Sequence, residues 1–169
     1  MTTDLTPLRE HLVRLLGWEE AHAGFDRATD GIPAALEGAR AAGFEHSPWQ
    51  LLEHLRIAQR DLLDFCVNPR YVHAREWPGD YWPPTASPPS ETAWEESVAA
   101  VQADRAALCE LARNPDVDLF ATVPTGHGPQ TYLRALLLVA DHNAYHVGQL
   151  VALRRALGAW PEPAAQEGG

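Results

Sequence analysis

Apolar residues recur at intervals of three and four in four stretches of this chain, and start or stop signals bound each stretch, which predicts four amphipathic helices. The first runs from Leu5 to about Thr29, with Leu8, Leu12, Leu15, Leu16 and Ala23 on one face. Thr6 is placed to cap it, and Pro7 to be its first helical residue. The second opens at Ser47-Pro48-Trp49-Gln50, where a serine cap, a proline at the first position and a glutamine that can reach back form a capping box. Its stripe is Leu51, Leu55, Ala58, Leu62, Phe65 and Cys66, ending near Val67. The third opens at Ser90, turns Trp94, Val98, Val101, Ala107, Leu108 and Leu111 inward, and ends near Arg113, where Asn114-Pro115 stops it. The fourth, Pro129 to Leu157, carries Ala135, Val139, Leu150, Leu153 and Leu157 on one face, with Gly158 placed to terminate it. No alternating stretch is long enough to predict a strand. The expected fold is all-α, a four-helix bundle in a single domain over residues 1–169, with 159–169 a frayed tail.

The connections differ in character. Residues 31–46 contain Pro33, Gly38 and Gly43 and read as a linker with a short helical turn at 34–40. Residues 68–89, between helices two and three, hold Pro69, Pro78, Pro83, Pro84, Pro88 and Pro89, which forbid a regular element. The same segment holds Tyr71, Trp77, Tyr81 and Trp82. Its rings either pack as a structural flap or form a lid over a pocket.

Composition narrows the function classes. The net charge of -10 would repel a phosphate backbone, and the 13 basic residues, all arginine, are scattered, so nucleic acid is not an expected partner. The absence of lysine removes Schiff-base chemistry on a lysine. No apolar run reaches the length of a membrane span, and charges interrupt residues 1–16, so a cytoplasmic protein without membrane contact is expected. Cys66 and Cys109 each fall in a helical pattern and read as small buried hydrophobes rather than a disulfide.

The chemistry concentrates in the fourth helix. His142 and His146 are four residues apart, about 6 Å along the helix axis and on one face, so both rings can reach a single metal ion. They sit in the apolar stripe, where each ring nitrogen needs a partner. Two satisfied core histidines are the alternative. Asn143 stands where the H-E-x-x-H metalloprotease signature needs glutamate, which disfavours that chemistry. His54, at the edge of the second helix's stripe, is the best-placed third ligand. His22 and Asp26, with Trp18 and Phe25, form a weaker group that is either a surface ion pair or the border of a site. His127 lies in a polar turn leading into the fourth helix, where free N–H groups at the helix start could hold an anion.

Two stretches, Trp49-Gln50-Leu51-Leu52-Glu53-His54 and His142-Asn143-Ala144-Tyr145-His146-Val147-Gly148-Gln149-Leu150, carry a family likeness: the chain resembles the DinB-like (YfiT-like) metalloenzyme superfamily from helix one to Gly158. The resemblance implies that His54, His142 and His146 bind one divalent metal in an open-sided site. Zinc suits a three-histidine site with an open fourth position, and imidazole also suits nickel, iron or manganese. It further implies a small-molecule substrate and, in some members, a low-molecular-weight thiol such as mycothiol, bacillithiol or glutathione used in transfer or isomerisation. An activated water, giving hydrolysis, is the other expectation. Substrate contacts are expected from Trp77, Tyr81, Trp82 and His127, and no catalytic residue is named. The rival reading is a non-catalytic metal-binding protein with a stress or sequestration role, favoured if Asp61, or failing that Asp26, closes the metal shell. The resemblance also suggests a homodimer, the commonest oligomer.

Overall fold

The computed structural model describes residues 4–17 and 19–161. These are all-α, with helices α1 (Thr6–Leu16), α2 (Phe25–Thr29), α3 (Ala34–Glu37), α4 (Pro48–Val67), α5 (Ala93–Arg113) and α6 (Tyr132–Ala156). A 3₁₀ turn spans Gly79–Tyr81, and the extended pairing among the described residues is one isolated bridge, Thr122 to Thr131. Trp18, one member of the weaker group on the first helix, lies outside the described residues, as does the expected tail from 162 on.

The expected first helix is two. α1 ends at Leu16, and α2 starts only after Gly24, whose extended backbone (φ -84°, ψ -177°) breaks any continuous helix. Ala23, counted on the expected apolar face, lies in the break between the two helices. Thr6 is not the cap but the first helical residue, and its N–H donates to the Asp4 carboxylate at 3.0 Å. The short turn in the linker is α3, ending at Glu37 rather than residue 40.

α4 begins as expected. The Gln50 N–H donates to Ser47 Oγ and the Ser47 N–H donates to Gln50 Oε1, both at 3.2 Å, which closes the capping box. The Ser47 hydroxyl also donates to the Ala86 carbonyl, so the start of α4 holds the distant end of the 68–92 segment. α5 starts at Ala93, three residues later than expected, and Ser90 does not cap it. Its buried row is Trp94, Ser97, Val101, Asp104, Leu108 and Ala112, with Ala107 exposed. The polar members of that row have partners: Ser97 donates to Glu53, and Asp104 accepts from Arg60 at 2.9 Å. α6 starts at Tyr132, because Thr131 caps it by accepting from the Arg134 N–H at 3.2 Å. At the other end, Gly158 takes the left-handed conformation (φ 68°) that stops the helix.

α1 and α4 each pack against both α5 and α6. Leu52 and Leu55 of α4 share one apolar cluster with Leu150 and Leu153 of α6, while Leu63 shares a second with Leu136 and Val139, so α4 and α6 run antiparallel. The junction between the clusters is polar: α4 places His54 and Gln59 there, and α6 places His142, Asn143 and His146. Arg154, 1% exposed, pairs with no carboxylate among the described residues and donates to the Arg27, Ala28 and Ala159 carbonyls, anchoring α2 and the chain just past α6. Ala159 is therefore tied down, although the tail was expected to fray from there. Cys66 and Cys109 are free thiols, and burial pushes the Cys66 thiol up to about 12, which makes it unreactive.

Ser47 serves both a helix cap and a loop anchor, so Ser47→Ala should destabilise the protein by about 1–2 kcal/mol. Urea denaturation should show a lower midpoint at unchanged slope, with Ser47→Thr close to the parent. An unmoved midpoint for the alanine variant would mean that neither bond holds the segment.

Candidate metal centre

α4 and α6 bring His54, His142 and His146 together. His54 is 1% exposed, His146 is buried and His142 half-buried, and one ligand atom from each lies within 4.8 Å of the others. The His54 Nε2 is 3.1 Å from the His146 Nε2 and 3.0 Å from the His142 Nε2. Tetrahedral Zn–N bonds of about 2.0–2.1 Å place nitrogens about 3.3–3.4 Å apart, so the spacing is near what one ion would set.

The outer nitrogens explain why the Nε2 atoms converge. The His54 Nδ1 lies 2.8 Å from the Tyr81 backbone carbonyl, which can only accept, so Nδ1 carries the proton and Nε2 a lone pair. The His146 Nδ1 lies 2.7 Å from Gln149 Oε1, which favours the same tautomer there, while the His142 Nδ1 approaches Asn143 Oδ1 at 3.5 Å, a contact too long to fix its tautomer. Asn143 is in turn fixed: it donates to Gln59 Oε1 at 2.7 Å, and Gln59 donates to the Val101 carbonyl at 2.8 Å. His54 and His146 each have an oxygen behind them, the arrangement that orients metal-binding imidazoles.

Three Nε2 atoms converge on one point, and a protonated, charged ring among them would be costly away from water. Burial opposes that charge. It pushes His54 down to about 4, where the nearby His142 adds to the effect, and His146 down to about 4, with His142 and His54 adding; burial lowers His142 as well. All three rings are neutral at pH 7 and offer deprotonated nitrogens to a cation without first losing protons. The donor set fits one divalent ion.

The proline-rich segment forms one wall. Trp82 lies flat on His54, with centroids 3.9 Å apart and planes 3° from parallel, and its other face stacks on His46 at 3.7 Å. Tyr81 is buried, whereas Trp77 is 67% exposed and only tilts toward His54 at 6.4 Å. Asp61, the first candidate for a closing ligand under the rival reading, is engaged elsewhere: its carboxylate accepts from the Tyr71 hydroxyl at 3.0 Å and the Tyr81 hydroxyl at 2.6 Å. It thereby holds the residue whose carbonyl orients His54. Asp26 is paired with Arg105 at 2.7 Å and also accepts from Gln102. His22 is exposed and bonds the adjacent Ala23 carbonyl rather than Asp26. His127 is exposed in the turn before Thr131, with its N–H donating to Gln130 Oε1; α6 starts five residues later, so it does not sit at the helix N-terminus.

The model of the DinB superfamily matches residues 17–150, a span that contains all three histidines. The chain belongs to the DinB superfamily. No curated protein matches it.

Two cavities touch this DinB-superfamily triad. One of about 370 Å³ is lined by His142, Tyr81 and Trp77, and one of about 640 Å³ by His146, Trp82, His46 and Gln149. Of the residues that sequence reasoning passed over, Gln149 was legible, since it lies three positions after His146 on the same helical face. Gln59 acts through Asn143, and His46 through Trp82; nothing local in the sequence marks either. No described helix is long and apolar enough to cross a membrane.

Proposed function

We propose that this protein is a metal-dependent enzyme in which His54, His142 and His146 hold one divalent ion, with a position open to a low-molecular-weight thiol or to water. Zinc matches the donor set best, and nickel, iron and manganese also accept imidazole. The observation that carries the reading is the convergence of three Nε2 atoms, with an oxygen on the Nδ1 of His54 and of His146 turning those rings inward. A divalent ion held there supplies a Lewis acid that lowers the pKa of a thiol or a water, giving a nucleophile near neutral pH.

The chain's own groups supply orientation and exclusion of solvent. Tyr81 fixes His54 through its carbonyl, and the Trp82 ring keeps water from one side of His54. Trp77, Tyr81 and Trp82 contribute substrate contacts, while His127 lines neither cavity and has no part in this proposal. Access from one cavity to His142 and from another to His146 suits a reaction with two organic partners, and so favours thiol-dependent transfer or isomerisation over hydrolysis. The non-catalytic reading needs a closed shell, and its candidate ligands, Asp61 and Asp26, are bound to other groups. Within this proposal the four longer helices form a four-helix bundle, the chain is a single domain acting in the cytoplasm, and the 68–92 segment borders the site.

Losing one ligand leaves two imidazoles and solvent, so His142→Ala should reduce bound metal from one equivalent to less than about a tenth, read by elemental analysis of protein purified without a histidine tag. A full equivalent in the variant would remove the triad from the metal site. The protein is further proposed to be a homodimer. Light scattering at micromolar concentration should then return twice the chain mass of 18.6 kDa, and the chain mass itself would rule the dimer out.

A further inference from the structure

The cavity at His142 has a shape and polarity that narrow its occupant. It follows the groove between the antiparallel helices α4 and α6, and on α6 its lining residues Arg134, Leu138 and His142 are successive turns of one face. Arg134 therefore lies about 12 Å along the axis from His142. Its walls carry Leu62, Phe65 and Leu138 with the rings of Tyr71, Trp77 and Tyr81 from the proline-rich segment, and the polar residues Asp61, His73 and Gln130 also line it. At about 370 Å³ the space fits a small organic molecule rather than a peptide or a nucleotide.

Charge distinguishes the two ends. Asp61 lines the cavity, but each of its oxygens already accepts a tyrosine hydroxyl, which offsets part of its pull on a second donor. Arg134 is exposed and forms no ion pair among the described residues. Its fork of donors matches a carboxylate in two parallel bonds.

We infer that the cavity between His142 and Arg134 binds the acceptor substrate, and that this substrate is an apolar, ring-bearing carboxylate with its anion at Arg134 and its other end toward His142. The ring lies against Phe65, Tyr71 and Tyr81, where flat faces are worth more than their area alone. This rests on the metal-dependent reading for its chemistry, but not for its binding site, whose walls come from the chain.

Three probes with one body and different ends test it: 3-phenylpropanoate, 3-phenylpropanol and 3-phenylpropylamine, titrated calorimetrically into the protein as purified, with metal content measured in parallel. The carboxylate should bind at least threefold tighter than the alcohol and the amine weakest. Arg134→Gln should abolish the preference for the carboxylate over the alcohol, and Leu138→Trp, at the rim, should weaken all three at least tenfold with the melting temperature within a few degrees of the parent. An amine that binds tightest would show that Asp61 dominates and would overturn the anion assignment. Failure of all three probes, or Leu138→Trp without effect, would overturn the site. Metal-replete protein that binds no probe sinks this inference alone; metal-free protein that shows the expected order sinks the metal reading alone.

Discussion

The convergence of three buried imidazole nitrogens from two helices is the constraint on which the rest of this molecule depends. Left to themselves, buried histidines turn their rings so that each nitrogen meets a partner of the opposite kind. Here the Nδ1 of His54 and of His146 meets an oxygen, so those two rings present a lone pair at Nε2 toward the Nε2 of His142. A cation at the centre would give these nitrogens a common partner. The frame must hold without it, and the two apolar clusters on either side of the polar junction provide the rigidity to do so.

The proline-rich segment belongs to that frame. It is pinned at four places: Tyr71 and Tyr81 to Asp61, the Tyr81 carbonyl to His54, Trp82 between His46 and His54, and Ala86 to Ser47. A freely swinging lid would break the hydrogen bond that sets the tautomer of His54. The segment is better described as a fixed wall whose outer edge, at the exposed Trp77, is its least constrained part.

Much of this was legible in the sequence because the signals were local. The Ser47-Pro48-Trp49-Gln50 capping box, the histidines at i and i+4, and Gly158 each encode their geometry within a few residues. The boundaries that slipped did so where a local signal was ambiguous or a distant group intervened: Gly24 broke a period that was read as running on to Ala23, and Thr131 took the cap that Pro129 suggested lay earlier. The role of Asp61 was out of reach for a different reason. Its position on α4 made it a plausible ligand, but what it binds is set by two tyrosines ten and twenty residues away in a segment with no periodicity. Long-range polar pairings of this kind leave no pattern in one sequence.

X-ray absorption at the metal edge of the protein purified without a tag tests the central claim most directly, because imidazole rings give a characteristic multiple-scattering signal. The account predicts three imidazole nitrogens at about 2.0–2.1 Å if the ion is zinc, plus one further position filled by solvent or added thiol. On adding a low-molecular-weight thiol, a sulfur shell at about 2.3 Å should appear without loss of the imidazoles. A shell of fewer than three imidazoles, or one closed by a protein carboxylate that no thiol displaces, would contradict it.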